Sequence, residues 1–476
     1  MPHHTPIYTA LQQYVQHNKL RLHMPGHIGR GMTARELQPV AGIDVTEVPG
    51  LDDFHLPREI IGQSRTLLAH AYGAGESYFL VNGATSGLEA LFLALTSEGE
   101  KVLVPRNAHR SFYGGMVLSG AMPVYIPVQT MPEPGIALAV TAEDIRNLLG
   151  QSDKLVFLAS PSYYGTTCDV EQIAQLVHES GRLLLVDEAH GAHFNFSPQL
   201  PPSALQCGAD AAVNGLHKTL PVLNQGACLH LAESLKGSRS VNQAVSLITT
   251  TSPSYPIMAS IELARALLEE KGAALLDQAL DYAAQFRQKA RSLGGLKCYR
   301  EELLGVPGVK GLDGLKILIG TGKTGLTGYE LDRILREKYQ IQVEIADNKY
   351  ILAMFSIFHQ KQDWDYFYQA LRQIAQTVAV AGPAEPEMVA LPPYPEVVLS
   401  PRQAFKNPVK RMPLKECRGK LAGEMVAAYP PGIPCLLPGE LITAAVQNYL
   451  EYLQQTGARL QGPEDISLRH LSILDV

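Results

Sequence analysis

The sequence predicts an α/β protein with a doubly wound, mostly parallel sheet, a smaller α/β domain and a C-terminal lobe. Three observations support this prediction. Between about residues 76 and 230, short apolar runs alternate with helical patterns, which is typical of a parallel sheet covered by helices on both faces. A long helical region, Tyr255 to Leu293, leads into a strand–helix–strand unit. A Pro-rich stretch then precedes a last segment with a motif of its own.

Each predicted element rests on its own pattern. Apolar runs predict the strands of the large sheet at 78–81, 101–104, 123–128, 155–159, 183–186 and 211–213. Helical periodicity predicts helices at 88–97 and 170–180. In the smaller unit, a strand at 315–320 precedes a helix at 328–339 and a strand at 341–346. Thr327 and Glu330 have the spacing of a capping box, which fixes the start of that helix.

The same reading divides the chain into five segments. They are an N-terminal arm (1–45), a large domain that binds the cofactor discussed below (46–254), a small α/β domain (255–381), a Pro-rich linker (382–401) and a C-terminal lobe (402–476).

Composition excludes several classes of protein. The 476 residues carry a net charge of −6, which argues against a nucleic-acid binder that works by bulk positive charge. No apolar stretch is long enough to span a bilayer, and the N-terminus lacks the pattern of a secretory signal. Six scattered cysteines are typical of reduced thiols. We therefore expect a cytoplasmic protein without a membrane partner.

The segment after the first predicted strand, Asn82-Gly83-Ala84-Thr85-Ser86-Gly87, could bind a phosphate. Small residues allow close approach of an anion, and the following helix offers free N–H groups and a favourable dipole. An ordinary strand-to-helix turn is an equally good reading of this segment alone.

Three further strand ends carry reactive side chains. His109 follows the second strand and could stack on a ring, although a polar surface turn is the better explanation of this residue taken alone. Asp187 ends a wholly apolar strand, where its charge needs a partner. Lys218 follows the last strand, where partial desolvation makes its amine nucleophilic. Because ligands bind beyond the carboxyl ends of such strands, these groups together predict a site for pyridoxal 5′-phosphate (PLP), which needs an amine and an acid.

Two other sites are conceivable and are disfavoured. The run LLLVDEAH resembles an NTPase acidic box, and GTGKTGLTG (320–328) resembles a phosphate loop, but Ile317 stands where that loop needs glycine. The His pairs His190/His193 and His23/His27 lack further ligands. We therefore predict no metal.

These motifs resemble those of the Orn/Lys/Arg decarboxylases, a family with the aspartate-aminotransferase-like fold (PLP fold type I). The chain is most similar to the shorter bacterial arginine decarboxylase-like members of that family. The matching motifs are HMPGH (23–27), LDDFH (51–55), NGATSG (82–87), RNAHRS (106–111), VDEAHGAH (186–193), HKTLP (217–221), TTTSPSYPIMAS (249–260) and YPPGIPCLLPGE (429–440). They span nearly the whole chain in the order typical of the family.

The resemblance implies a role for each matched residue. Lys218 would hold the cofactor, Asp187 would pair with its ring nitrogen, and His109 would stack on the ring. The residues it places around the phosphate or beside the cofactor are Ala84, Thr85, Ser86, Ala189, His190, Asn214 and His217. Thr250 and Thr251 would reach a neighbouring subunit, which implies a homodimer or a larger assembly of dimers. The chain departs from the family at Gly215, where serine is usual, so one hydroxyl contact to the phosphate is expected to be missing.

The implied reaction is α-decarboxylation of a basic amino acid, arginine before lysine or ornithine. Asp52, Asp53 and Glu440 are candidate partners for the distal cation of the substrate, against a solvated turn and a helix-terminus acid as structural alternatives. The donor of the proton to Cα stays open among Lys218, His109 and other pocket residues.

Two other functions stay open. An aminotransferase would normally use an arginine to clamp the α-carboxylate, and the apolar segment 346–359 offers none, although that segment could equally be core. An inactive member with a structural or regulatory role is the other alternative.

Overall fold

The fold comes from a computed structural model, which describes residues 5–131, 133, 135–322, 324–378, 392–428 and 433–476. Its strands are β1 (Glu76–Leu80), β2 (Lys101–Pro105), β3 (Met122–Ile126), β4 (Gln129–Met131), β5 (Ile136–Ala139), β6 (Leu155–Ala159), β7 (Thr166–Cys168), β8 (Leu183–Asp187), β9 (Ala211–Asn214), β10 (Ala227–Leu231), β11 (Lys297–Tyr299), β12 (Val309–Leu312), β13 (Lys316–Gly320), β14 (Ile345–Ala346), β15 (Tyr350–Met354), β16 (Val409–Pro413), β17 (Val426–Ala428), β18 (Pro434–Leu436), β19 (Leu460–Gln461) and β20 (His470–Leu474).

Its α-helices are α1 (Pro6–Gln16), α2 (Gln38–Ile43), α3 (Ile60–Tyr72), α4 (Gly83–Leu95), α5 (Arg110–Ser119), α6 (Ala142–Leu148), α7 (Val170–Glu179), α8 (Leu216–Thr219), α9 (Arg239–Ile248), α10 (Tyr255–Ala290), α11 (Glu301–Leu304), α12 (Gly328–Tyr339), α13 (Lys361–Thr377), α14 (Pro401–Lys406) and α15 (Ala444–Thr456).

Within the described residues the central sheet has seven strands, in the order β1-β10-β9-β8-β6-β2-β3. The pairs from β9 through β3 are parallel, and β10 runs antiparallel to both of its neighbours. All six predicted strands are present within a few residues of their predicted bounds. The strand β10, ACLHL, was not predicted; it is fully buried in spite of its histidine.

The topology brings the functional loops to one edge of the sheet. Because β1, β2, β6, β8 and β9 point the same way, the segments that follow them lie side by side. Helix α4 packs closely on this sheet at Gly87, where a Cβ would lie 2.6 Å from Leu80 Cδ1 and 3.0 Å from Val213 Cγ1. Glycine therefore brings the start of α4 close to the end of β9.

The long helix α10 follows the large sheet and begins at an N-cap, where the Ser254 side chain accepts from the N–H of Ile257. It leads to a second sheet with the order β11-β13-β15-β14. The capping box of Thr327 and Glu330 at the start of α12 is confirmed.

Two details of the smaller unit differ from prediction. The strand predicted at 341–346 is only Ile345–Ala346, and the apolar segment after it contains the buried strand β15. Residues 350–353 of the segment 346–359 are therefore core, so the lack of arginine there says little about the reaction.

The C-terminal residues form small sheets around α15 and touch the large sheet directly. The guanidinium of Arg106, just after β2, donates to the carbonyl oxygen of Pro434 at 2.9 Å. Most of the predicted linker, and Tyr429–Gly432 of the motif at 429–440, lie outside the described residues. The five domain boundaries stay predictions.

No helix among the described residues has the length and apolar character needed to cross a bilayer.

Candidate active site

Lys218 lies in the short helix α8, just beyond the end of β9. Burial lowers the pKa of its amine, while the negative charges of Asp187 and Glu344 oppose this shift. A lysine with a lowered pKa has a larger neutral, nucleophilic fraction near neutral pH. The structure thus gives Lys218 the property that its position in the sequence predicts.

Asp187 and His109 share the electrostatic environment of Lys218. Asp187 ends β8 and accepts the N–H of Ala189 at 3.1 Å, and burial raises the pKa of its carboxyl against the lowering effect of Lys218 and His109. His109 caps α5, with Nδ1 2.9 Å from Ser111 Oγ. Desolvation lowers the pKa of its imidazole, Asp187 raises it, and Lys218 lowers it. The three predicted catalytic side chains therefore form one mutually interacting cluster.

The start of α4 retains its hydrogen-bonding capacity. Gly83 has a φ of +77°, and its N–H donates to Gln225 O at 2.9 Å. Within the described residues, the side chain of the N-cap residue Asn82 accepts no hydrogen bond from the first turn of α4. The hydroxyl of Ser86 donates to the backbone oxygen of Gly83 at 2.8 Å. First-turn N–H groups have no partner within a helix. The backbone of Ala84 and Thr85 therefore fits an anion such as a phosphate.

His217 and Asn214 flank the lysine segment in different ways. His217 Nδ1 lies 3.0 Å from the carbonyl oxygen of Gly226, so Nδ1 carries the proton and Nε2 is left to meet a ligand. Asn214 is fully buried and donates to the backbone oxygen of Glu188 at 3.0 Å and to its Oε2 at 3.1 Å. The amide nitrogen of Asn214 thus holds Glu188.

The family departure at Gly215 has a steric reason in this chain. A Cβ at this position would lie 2.9 Å from the backbone oxygen of Ala189 and 3.2 Å from Cδ of Lys218. Its φ of −86° is open to any residue, so the obstacle to serine is space. Glycine here lets the stem of Lys218 pass close to the backbone at the end of β8.

His190 lies between two lysines. Its Nε2 is 3.2 Å from Lys218 Nζ, and its Nδ1 is 3.1 Å from Nζ of Lys316 at the start of β13. Lys316 was not predicted, because it belongs to the second sheet and to no local motif. No sequence signal other than a lone lysine opening an apolar strand could have indicated it.

Two predicted substrate residues order the turn before α3. The Asp52 carboxylate accepts five backbone N–H groups, at 2.9–3.4 Å. Burial raises the pKa of Asp52, but these hydrogen bonds outweigh it and hold the pKa below its usual value. Asp53 accepts the N–H groups of His55 and Leu56 at 2.8 and 2.9 Å. The observed contacts favour the structural alternative, and a substrate role for either residue stays a prediction.

The third predicted substrate residue, Glu440, has an internal partner. Its carboxylate forms a bidentate ion pair with Arg106, and Oε2 also accepts the N–H of Leu437 at 2.8 Å. Glu440 is 1% exposed, so a substrate cation has no access to it in this subunit. The charge of Glu440 is thus already matched by Arg106, which favours a structural role, and a substrate contact of Glu440 stays a prediction.

An unpredicted carboxylate lies nearer the cluster. Glu344 is exposed, accepts a hydrogen bond from the Tyr163 hydroxyl, and its charge acts on the pKa of both Lys218 and Lys316. It precedes β14 in a segment that was predicted only as part of a strand. Proximity across two sheets, which is invisible in the local sequence, brings Glu344 to the site.

Thr250 and Thr251 lie in the segment between α9 and α10. The backbone oxygen of Thr250 is 3.0 Å from Nε2 of His55, and Thr251 is exposed. Exposure is compatible with the predicted contact to a second subunit, which stays a prediction.

Known proteins resemble the whole chain. The model of the Orn/Lys/Arg decarboxylase major domain matches residues 5–363, and that of the C-terminal domain matches residues 386–465. Arginine decarboxylase of Bacillus subtilis is 35% identical over 480 residues, which cover 99% of this chain and 98% of the relative. Lysine decarboxylase of Pseudomonas aeruginosa is 23% identical over 94% of this chain and 75% of the relative.

Solved structures confirm the predicted fold class. The crystal structure of the Francisella novicida lysine decarboxylase matches with a TM-score of 0.86 at 21% identity, over 99% of this chain and 81% of that chain. A ureidoglycine–glyoxylate aminotransferase of Bacillus subtilis matches with a TM-score of 0.57 at 13% identity, over 74% and 92%. The fold is the aspartate-aminotransferase-like, PLP fold type I architecture. Together with the family models and the full-length Bacillus relative, this shows that the chain belongs to the Orn/Lys/Arg decarboxylase family.

Proposed function

We propose that this protein is a PLP-dependent α-decarboxylase of a basic amino acid, with arginine as the preferred substrate. The observation that carries the proposal is the cluster of Lys218, Asp187 and His109 at one edge of the sheet, where each charge acts on the pKa of another. Arginine is preferred because the Bacillus relatives at about 35% identity are arginine decarboxylases.

The residues present fit PLP. The uncapped first turn of α4, at Ala84, Thr85 and Ser86, would bind the phosphate together with His217, because it offers unused backbone donors. Asp187 would pair with the ring nitrogen, and Lys218 would hold the aldehyde. Of the other predicted cofactor contacts, Ala189 orients Asp187 through its N–H, and His190 touches Lys218.

When bound, PLP supplies a carbonyl that forms a covalent bond with an amine and a ring that accepts the electrons released as CO2 departs. The protein's own groups do the rest. By the family resemblance, His109 would stack on the ring and cover one face of it. Glu344, in electrostatic reach of Lys218, is placed to bind the distal cation of the substrate in place of Glu440. Lys218 and His109 are the candidates for handing a proton to Cα.

We also propose that the active form contains at least two subunits, since the family resemblance places Thr250 and Thr251 at a second subunit and Thr251 is exposed. Light scattering on the purified chain measures this directly. A monomer that decarboxylates at full rate would contradict a shared site.

The decisive experiment is a substrate panel. The full-length chain is supplied with PLP and incubated with arginine, lysine or ornithine, and CO2 and the product amine are measured. We expect CO2 and agmatine from arginine, and no CO2 from Lys218→Ala. Lys236→Ala, at an exposed lysine paired with Glu233, is the matched control and keeps full activity.

Each alternative function has its own outcome in this panel. A keto acid in place of CO2 would identify an aminotransferase. Borohydride trapping of cofactor on Lys218 without CO2 from any of the three amino acids would support a structural or regulatory member. A chain in which borohydride traps no cofactor at all would reject the proposal at its root.

A further inference from the structure

Besides Lys218, the site contains a second lysine, Lys316, which is buried and has no role in the proposed reaction. It opens β13 in the smaller sheet and is 3% exposed. Its Nζ donates to the backbone oxygen of Tyr163 at 2.8 Å and lies 3.1 Å from Nδ1 of His190. The opposite nitrogen of the same imidazole is 3.2 Å from Lys218 Nζ. One ring thus connects the two amines.

The hydrogen-bonding capacity of these groups limits where the protons are. A neutral imidazole has one N–H and one lone pair, and an ammonium group can only donate. Two ammonium groups therefore cannot both hydrogen-bond to one neutral ring. The contacts are satisfied when one lysine is an ammonium that donates to the ring, and the other is an amine that accepts from it.

From this geometry we propose that Lys316, acting through His190, stores the proton that Lys218 takes up and releases during turnover. In the forward direction the Lys316 ammonium gives a proton to Nδ1 of His190, and Nε2 gives its own proton to Lys218 Nζ. Lys316 ends as a neutral amine and Lys218 as an ammonium, so one proton has moved and the ring is neutral again. The reverse transfer resets the pair. Lys316 therefore acts on the reaction only through His190 and Lys218, and this role rests on the proposed function.

The surroundings suit a proton that can reside on either lysine. Burial lowers the pKa of Lys316 to about 8, which leaves both forms accessible near neutral pH, and burial keeps the pKa of His190 well below its usual value. The other titratable groups that act on Lys316 or His190 are Asp313, Glu344, His109 and His217. Asp313 in turn lies 3.3 Å from His193, and its carboxylate favours the charged form of Lys316.

The first test needs no cofactor. Acetic anhydride reacts with neutral amines but not with ammonium groups. The cofactor-free chain is labelled at a series of pH values, and peptide mass spectrometry measures the acetylation of Lys218. The resulting pH profile reports how readily Lys218 loses its proton. We expect Lys316→Met to shift this profile to higher pH, because it removes the neighbouring cation. Lys316→Arg keeps the cation and leaves the profile near wild type. The control Lys310→Met, at an exposed lysine paired with Asp169, leaves it unchanged. A profile of Lys316→Met that coincides with wild type would overturn the proposal.

The second test uses the PLP-loaded enzyme and separates storage of a proton from mere charge. Arginine cannot give up its proton at neutral pH, so Lys316→Arg should lower kcat by about tenfold or more, with KM nearly unchanged. A wild-type kcat for Lys316→Arg would refute the proton-storage role. If the Lys316 variants do not fold, His190→Gln interrupts the same path from the ring, and wild-type kcat in that variant refutes it equally. If no amino acid yields CO2, the proposed function fails, while the labelling still decides whether Lys316 acts on Lys218.

Discussion

Replacing Gly215 by serine, the usual family residue, should weaken cofactor binding in this chain. Read from the family alone, the serine would add a hydroxyl contact to the phosphate and tighten binding. The structure predicts the opposite, because the new Cβ would lie 2.9 Å from the Ala189 backbone oxygen and 3.2 and 3.3 Å from Cδ and Cε of Lys218. One substitution therefore distinguishes the two explanations of the departure.

The size of the effect follows from these contacts. Ordinary van der Waals contact begins near 3.5 Å, so the Ala189 backbone, the Lys218 stem or both must move by roughly half an ångström. Overpacking of this kind typically costs about 1–3 kcal/mol. In the cofactor-free chain the Lys218 stem can move away from the new Cβ, and it must return to that position to hold the cofactor, so this cost falls on binding. Because 1.4 kcal/mol corresponds to a factor of ten, we expect the Kd for PLP to rise by about tenfold. A displaced Lys218 amine should lower kcat as well.

The assay is a titration of the cofactor-free chain with PLP, followed by the absorbance of the bound cofactor, for wild type, Gly215→Ala and Gly215→Ser. Alanine adds the Cβ without a hydroxyl and isolates the steric effect. Gly150→Ala, where a Cβ meets nothing within 4 Å, is the control. A Gly215→Ser variant that binds PLP as tightly as wild type, or more tightly, would refute the steric explanation and favour the missing hydroxyl.

Three further predictions concern buried or nearby carboxylates. Arg106→Met should lower the free energy of unfolding, measured in urea, by about 3–5 kcal/mol because it leaves Glu440 buried without its partner. The double variant Arg106→Met/Glu440→Leu should recover much of this loss. A double variant whose destabilisation equals the sum of the two single variants would contradict the ion-pair argument. Burial raises the pKa of Glu188 to about 8, so the folded state keeps this proton between about pH 4.5 and 8, where the unfolded state loses it. The stability that this group contributes is therefore lost as the pH rises through that window. Glu188→Gln should make the urea midpoint depend less on pH, and an unchanged slope would contradict this prediction. Glu344→Gln should raise the KM for arginine by about tenfold with a smaller change in kcat. The control Glu337→Gln, at an exposed carboxylate paired with Arg333, should leave KM unchanged. An unaltered KM in Glu344→Gln would show that Glu344 does not bind the substrate.

The large sheet and the centre of the site could be predicted because their signals are local. Apolar runs marked each parallel strand, and a single reactive side chain at a strand end marked Asp187 and Lys218. The order of the strands then had to bring those ends to one edge. The strand β10 escaped prediction because a buried histidine, His230, interrupts its apolar run; His230 is accommodated by Ser77, whose Oγ lies 2.7 Å from its Nδ1.

The contacts between separate parts of the chain could not be predicted. Lys316 and Glu344 reach the site from the second sheet, and no spacing in the sequence encodes that approach. Glu440 was assigned to the substrate because its motif suggested function, whereas its charge is matched by Arg106, 334 positions away. The steric constraint at Gly215 was equally hidden, since it depends on the path of a side chain past a neighbouring strand.

The Arg106 contact has a consequence for how this protein can be shortened or recombined. Arg106 stands three positions before His109, and its guanidinium is held by Pro434 and Glu440 from the far end of the chain. A truncation that stops before residue 400 would leave that cation without its acceptors, three positions from the imidazole of His109. The C-terminal segment is therefore no detachable module, and chimaeras that exchange it between relatives must also carry β2 and the arginine that follows it.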